Sequence, residues 1–298
     1  LADVKNEIHD VRYFIPLSLA WEDQEDALVK ALASLTVARV RQQANVGVLA
    51  EAVGDQAFCQ AVARQVCKGG AVQMAHGELR FTHTSKCAEF ASEDFGALQL
   101  SRLHTQSTNT SAVLTSAAHG DRLFLKFYRR IREGINPEFE VGRFLTEVAK
   151  FPHCVPLAGS IEHVSGGKSC TLGLMQAYVP NQGDGWSYTL SYLDRFLEDR
   201  RSVTATPQDE EESAHGAYIT LMQTLAIRTA ELHRAFALRS GDPAFEPEPF
   251  TAQDAEAWKQ KVRREAEETF AMLEAKKIPI DRDAVLARID ACRAPAGS

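Results

Sequence analysis

The chain has 298 residues, room for one large or two modest domains, and its 45% hydrophobic and 24% charged side chains are ordinary for a globular protein. A formal net charge of -7 with no basic stripe argues against a nucleic-acid binder. The longest apolar stretch, Tyr13 to Trp21, is too short to cross a bilayer and no secretory signal is visible, so a cytoplasmic protein without a membrane partner is expected. The chain opens at Leu1 with no Met, and a natural start upstream is expected.

Residues 1–95 read as a small α+β unit. Tyr13, Ile15, Leu17, Leu19 and Trp21 alternate along one extended strand, and Leu35 to Val40 reads as a second. Gly54-Asp55 opens a helix carrying Phe58, Val62 and Val66 on one face, closed by Gly69-Gly70. Gly77 to Thr84 reads as another strand. Residues 96–179 then read as hairpins around one helix. Ser111 to Leu114 and Arg122 to Arg129 are strands joined by the turn Ala118-His119-Gly120-Asp121. Asn136 caps the next helix, with Pro137 at its first position and Val141, Phe144, Leu145 and Val148 on its buried face. Gly159 to Val164 and Cys170 to Val179 form a further hairpin around Ser165-Gly166-Gly167-Lys168.

Residues 180–298 are helical in pattern. Trp186, Leu190, Leu193 and Leu197 make one stripe; Ile219, Met222, Leu225 and Leu232 make a second. Thr204 to Ser213 is a surface linker by composition, and the Pro-rich run Asp242 to Phe250 breaks the chain. Thr251 with Asp254 resembles a capping box ahead of a charged helix, and a short helix follows near Asp283 to Cys292.

Several tempting motifs fail. Cys59, Cys67, Cys87, Cys154, Cys170 and Cys292 form no C-x-x-C pair and read as reduced structural thiols; the nine histidines give no metal-binding spacing. Gly167-Lys168-Ser169 lacks the earlier glycine of a Walker A loop, because position 162 is Glu. His119-Gly120-Asp121 spells the start of a small-molecule kinase catalytic loop but stands in a tight turn, and His215-Gly216 lacks the Asp.

One constellation survives. Lys126 stands in the apolar strand Leu123 to Tyr128, where a charge is costly unless an anion meets it. A lysine there either guards a solvated edge strand or waits under a neighbouring loop. The preceding loop, Gln106-Ser107-Thr108-Asn109-Thr110-Ser111, is rich in hydroxyl and amide donors suited to covering phosphates. After the strand, Glu140 is preferred over Glu138 as the carboxylate that steadies the lysine, although either acid also suits a helix N-terminus. Loop, strand lysine and helix glutamate follow the order of the triphosphate clamp in protein-kinase-like folds. In such a fold Gln176 and Tyr178 occupy the hinge that reads adenine, with Met175 behind the ring.

The ordered strings QSTNTS, LFLKFYRR, REGINPEFEVGRFL, PNQGDGWSYTLSYL and RTAELH resemble bacterial maltokinases, which often form the C-terminal part of a trehalose synthase–maltokinase fusion. The resemblance spans almost the whole chain. It implies an α+β, protein-kinase-like two-lobe fold of the aminoglycoside phosphotransferase type with an N-terminal α+β cap. Residues 1–95 would be the cap, 96–179 the N-lobe and 180–298 the first helical part of a truncated C-lobe. The implied reaction moves the γ-phosphoryl of ATP to the anomeric hydroxyl of maltose, giving maltose 1-phosphate for α-glucan synthesis. Ser107, Thr108, Asn109, Thr110 and Ser111 would cover the phosphates, Lys126 would bind the α/β-phosphates, Glu140 would partner it, and Gln176 and Tyr178 would be the hinge. The family's H-G-D-x-H catalytic loop and D-F-E segment, which holds Mg²⁺, do not occur before Ser298. The chain is therefore expected to be an inactive fragment of an active parent. His233, within RTAELH, is expected to be buried in support of that loop. The rival expectation is a non-catalytic kinase-like module beside a trehalose synthase; an aminoglycoside or choline kinase is disfavoured by the NPEFE and GDGW strings.

Overall fold

The structure is a computed structural model describing residues 2–5, 10–90, 94–102, 109–202 and 211–291. It is a mixed α/β protein built on antiparallel sheets and divides into two compact units, Leu1–Phe236 and Ala237–Ser298. No helix among the described residues is long and apolar enough to cross a membrane.

The first unit starts with the antiparallel pair β1 (Ala2–Lys5) and β2 (Asp10–Tyr13). The expected single strand Tyr13 to Trp21 is broken, because Pro16 separates β2 from β3 (Leu17–Trp21). With α1 (Asp26–Leu32), β4 (Thr36–Gln42) and β5 (Asn45–Glu51), β3 builds a three-stranded sheet in the order β3-β5-β4. The alternation there runs opposite to expectation. Ala20, not its leucine neighbours, faces the helix with Val48, Ala50 and Leu32, while Leu17 and Leu19 are half-exposed. A small residue at position 20 lets α1 lie close to the sheet, which a leucine would prevent.

Helix α2 (Gln56–Lys68) begins where the Asp55 carboxylate accepts from the Ala57 N–H, and ends at Gly69 with φ +72°, a conformation glycine adopts without Cβ strain. It packs on a seven-stranded antiparallel sheet, whose order is β6-β7-β11-β12-β10-β9-β8. These strands are β6 (Gly70–Gln73), β7 (Glu78–His83), β8 (Gln99–Arg102), β9 (Thr110–Ser116), β10 (Gly120–Phe127), β11 (Leu157–Ser165) and β12 (Lys168–Ala177). The expected boundary at residue 95 therefore runs through one sheet, since β7 pairs with β11 from Gly159↔His83 to Val164↔Glu78. Gly159 makes this closeness possible: a Cβ there would lie 2.2 Å from the Thr82 carbonyl and 2.5 Å from Val66 on α2.

The short connections follow their residues. Gly120 turns into β10 at φ +71°, and Gly166 and Gly167, both at positive φ, make the β11–β12 hairpin turn. The Gly167-Lys168-Ser169 string thus runs from the hairpin turn into β12, and its lysine pairs with Glu133 at 2.8 Å. Helix α3 (Pro137–Arg143) is capped by Asn136, whose side chain accepts from the Glu138 and Phe139 N–H groups, and continues into a π-helical turn over Phe144–Val148. Phe144 and Leu145 are buried as expected, but Val148 is half-exposed.

Helices α4 (Gly185–Ser202) and α5 (Glu211–Phe236) meet through tyrosines. Tyr192 stacks on Tyr218 at 4.2 Å between ring centroids, and its hydroxyl bonds His215. Trp186, Leu190, Leu193, Leu197, Ile219 and Leu225 remain substantially exposed. His233, expected to be buried, is exposed. At its end α5 places Phe236 against Phe144, with ring centroids 6.0 Å apart.

The second unit holds α6 (Ala252–Ala275) and α7 (Arg282–Ala291). Both bonds of the Thr251–Asp254 capping box form, and Arg263 grips the Asp290 carboxylate through two 2.9 Å bonds.

Candidate functional site

Alternation along β10 decides the site's geometry. Leu123, Leu125 and Phe127 are at most 2% exposed and share a core with α2, so Phe124, Lys126 and Tyr128 take the other face. Opposite Lys126 stand Leu174 on β12 and buried Ser111 on β9; opposite Phe124 stand Gln176 and Val113. Helix α3 supplies the carboxylate. Lys126 Nζ donates to Glu138 Oε2 at 2.6 Å, and the Tyr128 hydroxyl donates to the same oxygen at 2.7 Å. The ammonium also lies 5.4 Å from the centroid of the Tyr128 ring. Burial, and then the Glu138 carboxylate, push the Tyr128 phenol well above its usual range, so it remains a donor.

The lysine's partner is therefore Glu138, not the expected Glu140. Asn136 fixes the helix start, so Glu138 stands at its second position and faces β10. Two residues on, at about 100° per residue, Glu140 points roughly 200° around the helix. A strand lysine held by a helix carboxylate forms all the same, two residues earlier.

The donor-rich loop divides. Ser107 and Thr108 lie outside the described residues. Asn109 is engaged in an interaction of its own. The Thr110 hydroxyl is committed on both sides: it donates to Glu51 Oε1 at 2.6 Å and accepts from Arg129 Nε at 2.7 Å. Arg129 Nη2 completes the ring with a 2.7 Å bond to Glu51 Oε2. Thr110 therefore joins the three-stranded sheet to the seven-stranded one and has no hydroxyl proton to offer a phosphate. Glu51 and Arg129 went unnoticed in the sequence, because a Glu closing an apolar run gives no sign of the arginine it meets.

The expected hinge divides too. Gln176 sits on the Lys126 face, inside the ladder between Phe124 and Leu157. Tyr178 has spent its backbone N–H on the Arg122 carbonyl at 2.9 Å, so that group cannot also read a base. Met175 is fully buried with Leu125, on the side away from Lys126, and cannot back a ring lying on the lysine's face.

An open cavity of about 980 Å³ is lined by Arg12, Phe14, Leu79, His163, Cys170 and Leu172 among others. Its floor residues belong to the Phe127 core, across the sheet from Lys126. Among the described residues, no cluster of three His, Cys, Asp or Glu side chains is placed to hold a metal ion.

The sequence matches no family model. Solved structures similar to the chain include a glucosamine kinase in complex with glucosamine, ADP and inorganic phosphate, at 17% identity and a TM-score of 0.43, covering 94% of this chain and 61% of that one. Two further glucosamine kinase structures, crystal forms B and A, match at 20% and 18% identity with TM-scores of 0.40 and 0.39. They cover 75% and 86% of this chain, and 52% and 54% of their own. The chain thus spans between about half and three-fifths of the length of these kinases.

Proposed function

We propose that this chain carries the nucleotide-binding half of a sugar kinase that transfers the γ-phosphoryl of ATP to the anomeric hydroxyl of maltose, yielding maltose 1-phosphate. The carrying observation is the 2.6 Å bond from Lys126 Nζ to Glu138 Oε2. Phosphoryl transfer rests mostly on positioning and charge stabilisation, and an ammonium anchored between strand and helix is the group that meets α/β-phosphates in kinase-like sites. Here Glu138 takes the anchoring role first expected of Glu140, Ser111 lies beside the lysine on β9, and Gln176 lies on the same face. Bound Mg²⁺ would neutralise phosphate charge, and the acids to hold it belong to the D-F-E segment that the maltokinase resemblance places after Ser298.

The test has two arms. For the chain itself, calorimetric titration with ADP is expected to show binding that Lys126→Ala weakens at least tenfold; unchanged affinity would overturn the assignment. For a protein extended downstream of Ser298, ADP release is expected with maltose and not with glucosamine or glucose, and glucosamine-dependent turnover would move the substrate within the sugars.

A second reading, a non-catalytic kinase-shaped module beside a maltose/trehalose isomerase, draws support from the engaged Tyr178 N–H and Thr110 hydroxyl. It predicts no ADP binding at all.

A further inference from the structure

A tyrosine makes the third corner of the Lys126–Glu138 pair. The two charged side chains keep exposures of 24% and 39%, a range in which a lone ion pair contributes little and both chains wander. Tyr128 follows the end of β10 directly, two positions from the lysine, and extended alternation puts both on one face. Its backbone is anchored. The Tyr128 N–H donates to the Leu172 carbonyl at 2.9 Å, and the next carbonyl, of Arg129, accepts from the Phe14 N–H at 2.8 Å. The half-buried ring therefore has a fixed root. Its hydroxyl donates at 2.7 Å to Glu138 Oε2, the oxygen that already takes Lys126 Nζ at 2.6 Å.

We infer that Tyr128 is a positioning residue for the phosphates of an adenine nucleotide: its hydroxyl pins Glu138 Oε2, and through that oxygen holds the Lys126 ammonium where the phosphates arrive. The inference rests on the nucleotide-binding reading above and adds to it the residue that sets the lysine's aim. An ammonium has three N–H donors; Glu138 takes one and leaves two for phosphate oxygens. The Tyr128 ring, its centroid 5.4 Å from Nζ, adds a weak attraction that keeps the ammonium on this side of the strand.

Side-chain freedom lost when a ligand arrives opposes binding, and the flexible lysine stem has much to lose. With Oε2 held from two sides, much of that freedom is gone before the nucleotide comes. The phenol keeps its proton through neutral pH, because burial and then the bond to the Glu138 carboxylate raise it, so the donor is always present. Tyr128 needs no contact with the nucleotide; it acts through Glu138.

The experiment reads the ammonium and the nucleotide separately in the full chain. With ¹⁵N-labelled lysines, the Nζ signal that vanishes in Lys126→Ala identifies Lys126, and NMR follows its proton exchange with water. Exchange is expected to be several-fold slower than at the chain's solvated lysines, and to quicken several-fold in Tyr128→Phe, which removes the hydroxyl and keeps the ring. Calorimetric titration with ADP is expected to show roughly three- to tenfold weaker binding in Tyr128→Phe, the loss of one hydrogen bond to a charged group passed on in part. In a Glu138→Ala background the same change is expected to alter ADP affinity by roughly twofold at most, whereas a tyrosine that merely packed would matter as much there as in wild type. Equal exchange at Lys126 and at solvated lysines overturns the proposal without any variant. Unchanged ADP affinity in Tyr128→Phe, with binding lost in Lys126→Ala, also overturns it and leaves the nucleotide site standing. If wild type binds no ADP, the nucleotide reading falls and this role falls with it.

Discussion

Arg129, two residues past the end of β10, reaches Glu51 at the end of β5 with Nη2 2.7 Å from Oε2. Thr110 is held between them, so a single carboxylate fastens two sheets and the strand that emerges from the donor-rich loop. Glu51 is 8% exposed. Replacing it by Gln is expected to cost about 1–3 kcal/mol, the usual range for losing hydrogen bonds to a charged group. Urea unfolding followed by tryptophan fluorescence measures this, and Arg129→Gln added to Glu51→Gln is expected to cost little more than either change alone.

Glu138 and Glu140 are separated by one residue and by their roles. Glu138→Gln removes the acceptor charge shared by Lys126 and Tyr128, and is expected to weaken ADP binding several-fold. Glu140→Gln is expected to leave it within a factor of two. Equal effects of the two changes in parallel titrations would contradict the geometry of α3.

The Tyr128 phenol carries a pH signature. Its pKa is raised in the folded chain by burial and by Glu138, while in the unfolded chain it titrates near 10. Above that value the unfolded state loses a proton that the folded state keeps, so stability present below about pH 10 declines as pH rises further. Melting temperatures between pH 9 and 11 are expected to fall more steeply for wild type than for Tyr128→Phe.

Phe144 is fully buried and stacks on Phe236 at the end of α5. Truncating it to Ala is expected to destabilise the first unit by about 3–5 kcal/mol, through lost transfer energy and the cavity left behind. Amide exchange is expected to quicken in the last turns of α5 before the seven-stranded sheet is affected.

Cys59 is fully buried, and burial followed by the Asp55 charge pushes its thiol up to about 12. At pH 8 it is expected to resist iodoacetamide for hours under conditions that label Cys67 within minutes. Mass spectrometry of timed samples reads the difference.

Much of this was legible in the residues because it is local. The period-two alternation around Lys126, the Asn136-Pro137 helix start, the Gly166-Gly167 turn and the Thr251–Asp254 box each depend on neighbours a few positions apart. What escaped depends on partners far away in the chain. The Tyr13 to Trp21 alternation pointed the wrong way because α1 chose the face carrying Ala20. Glu140 was preferred to Glu138 because the phase of a helix relative to a strand is set by packing. The run Asn45 to Glu51 is apolar enough to hide its period, and β6–β7 gave no sign that their partner is β11.

The order of the large sheet carries a consequence for synthesis. Its middle is occupied by β11 and β12, the last two strands made, while β6 and β7 stand on one flank and β8, β9 and β10 on the other. Until the ribosome has released Ala177, those flanks are two separate ribbons, each presenting an unzipped border to whatever is nearby. The last hairpin must slot between them as a keystone, and a nascent chain stalled before Leu157 is the species most prone to clump.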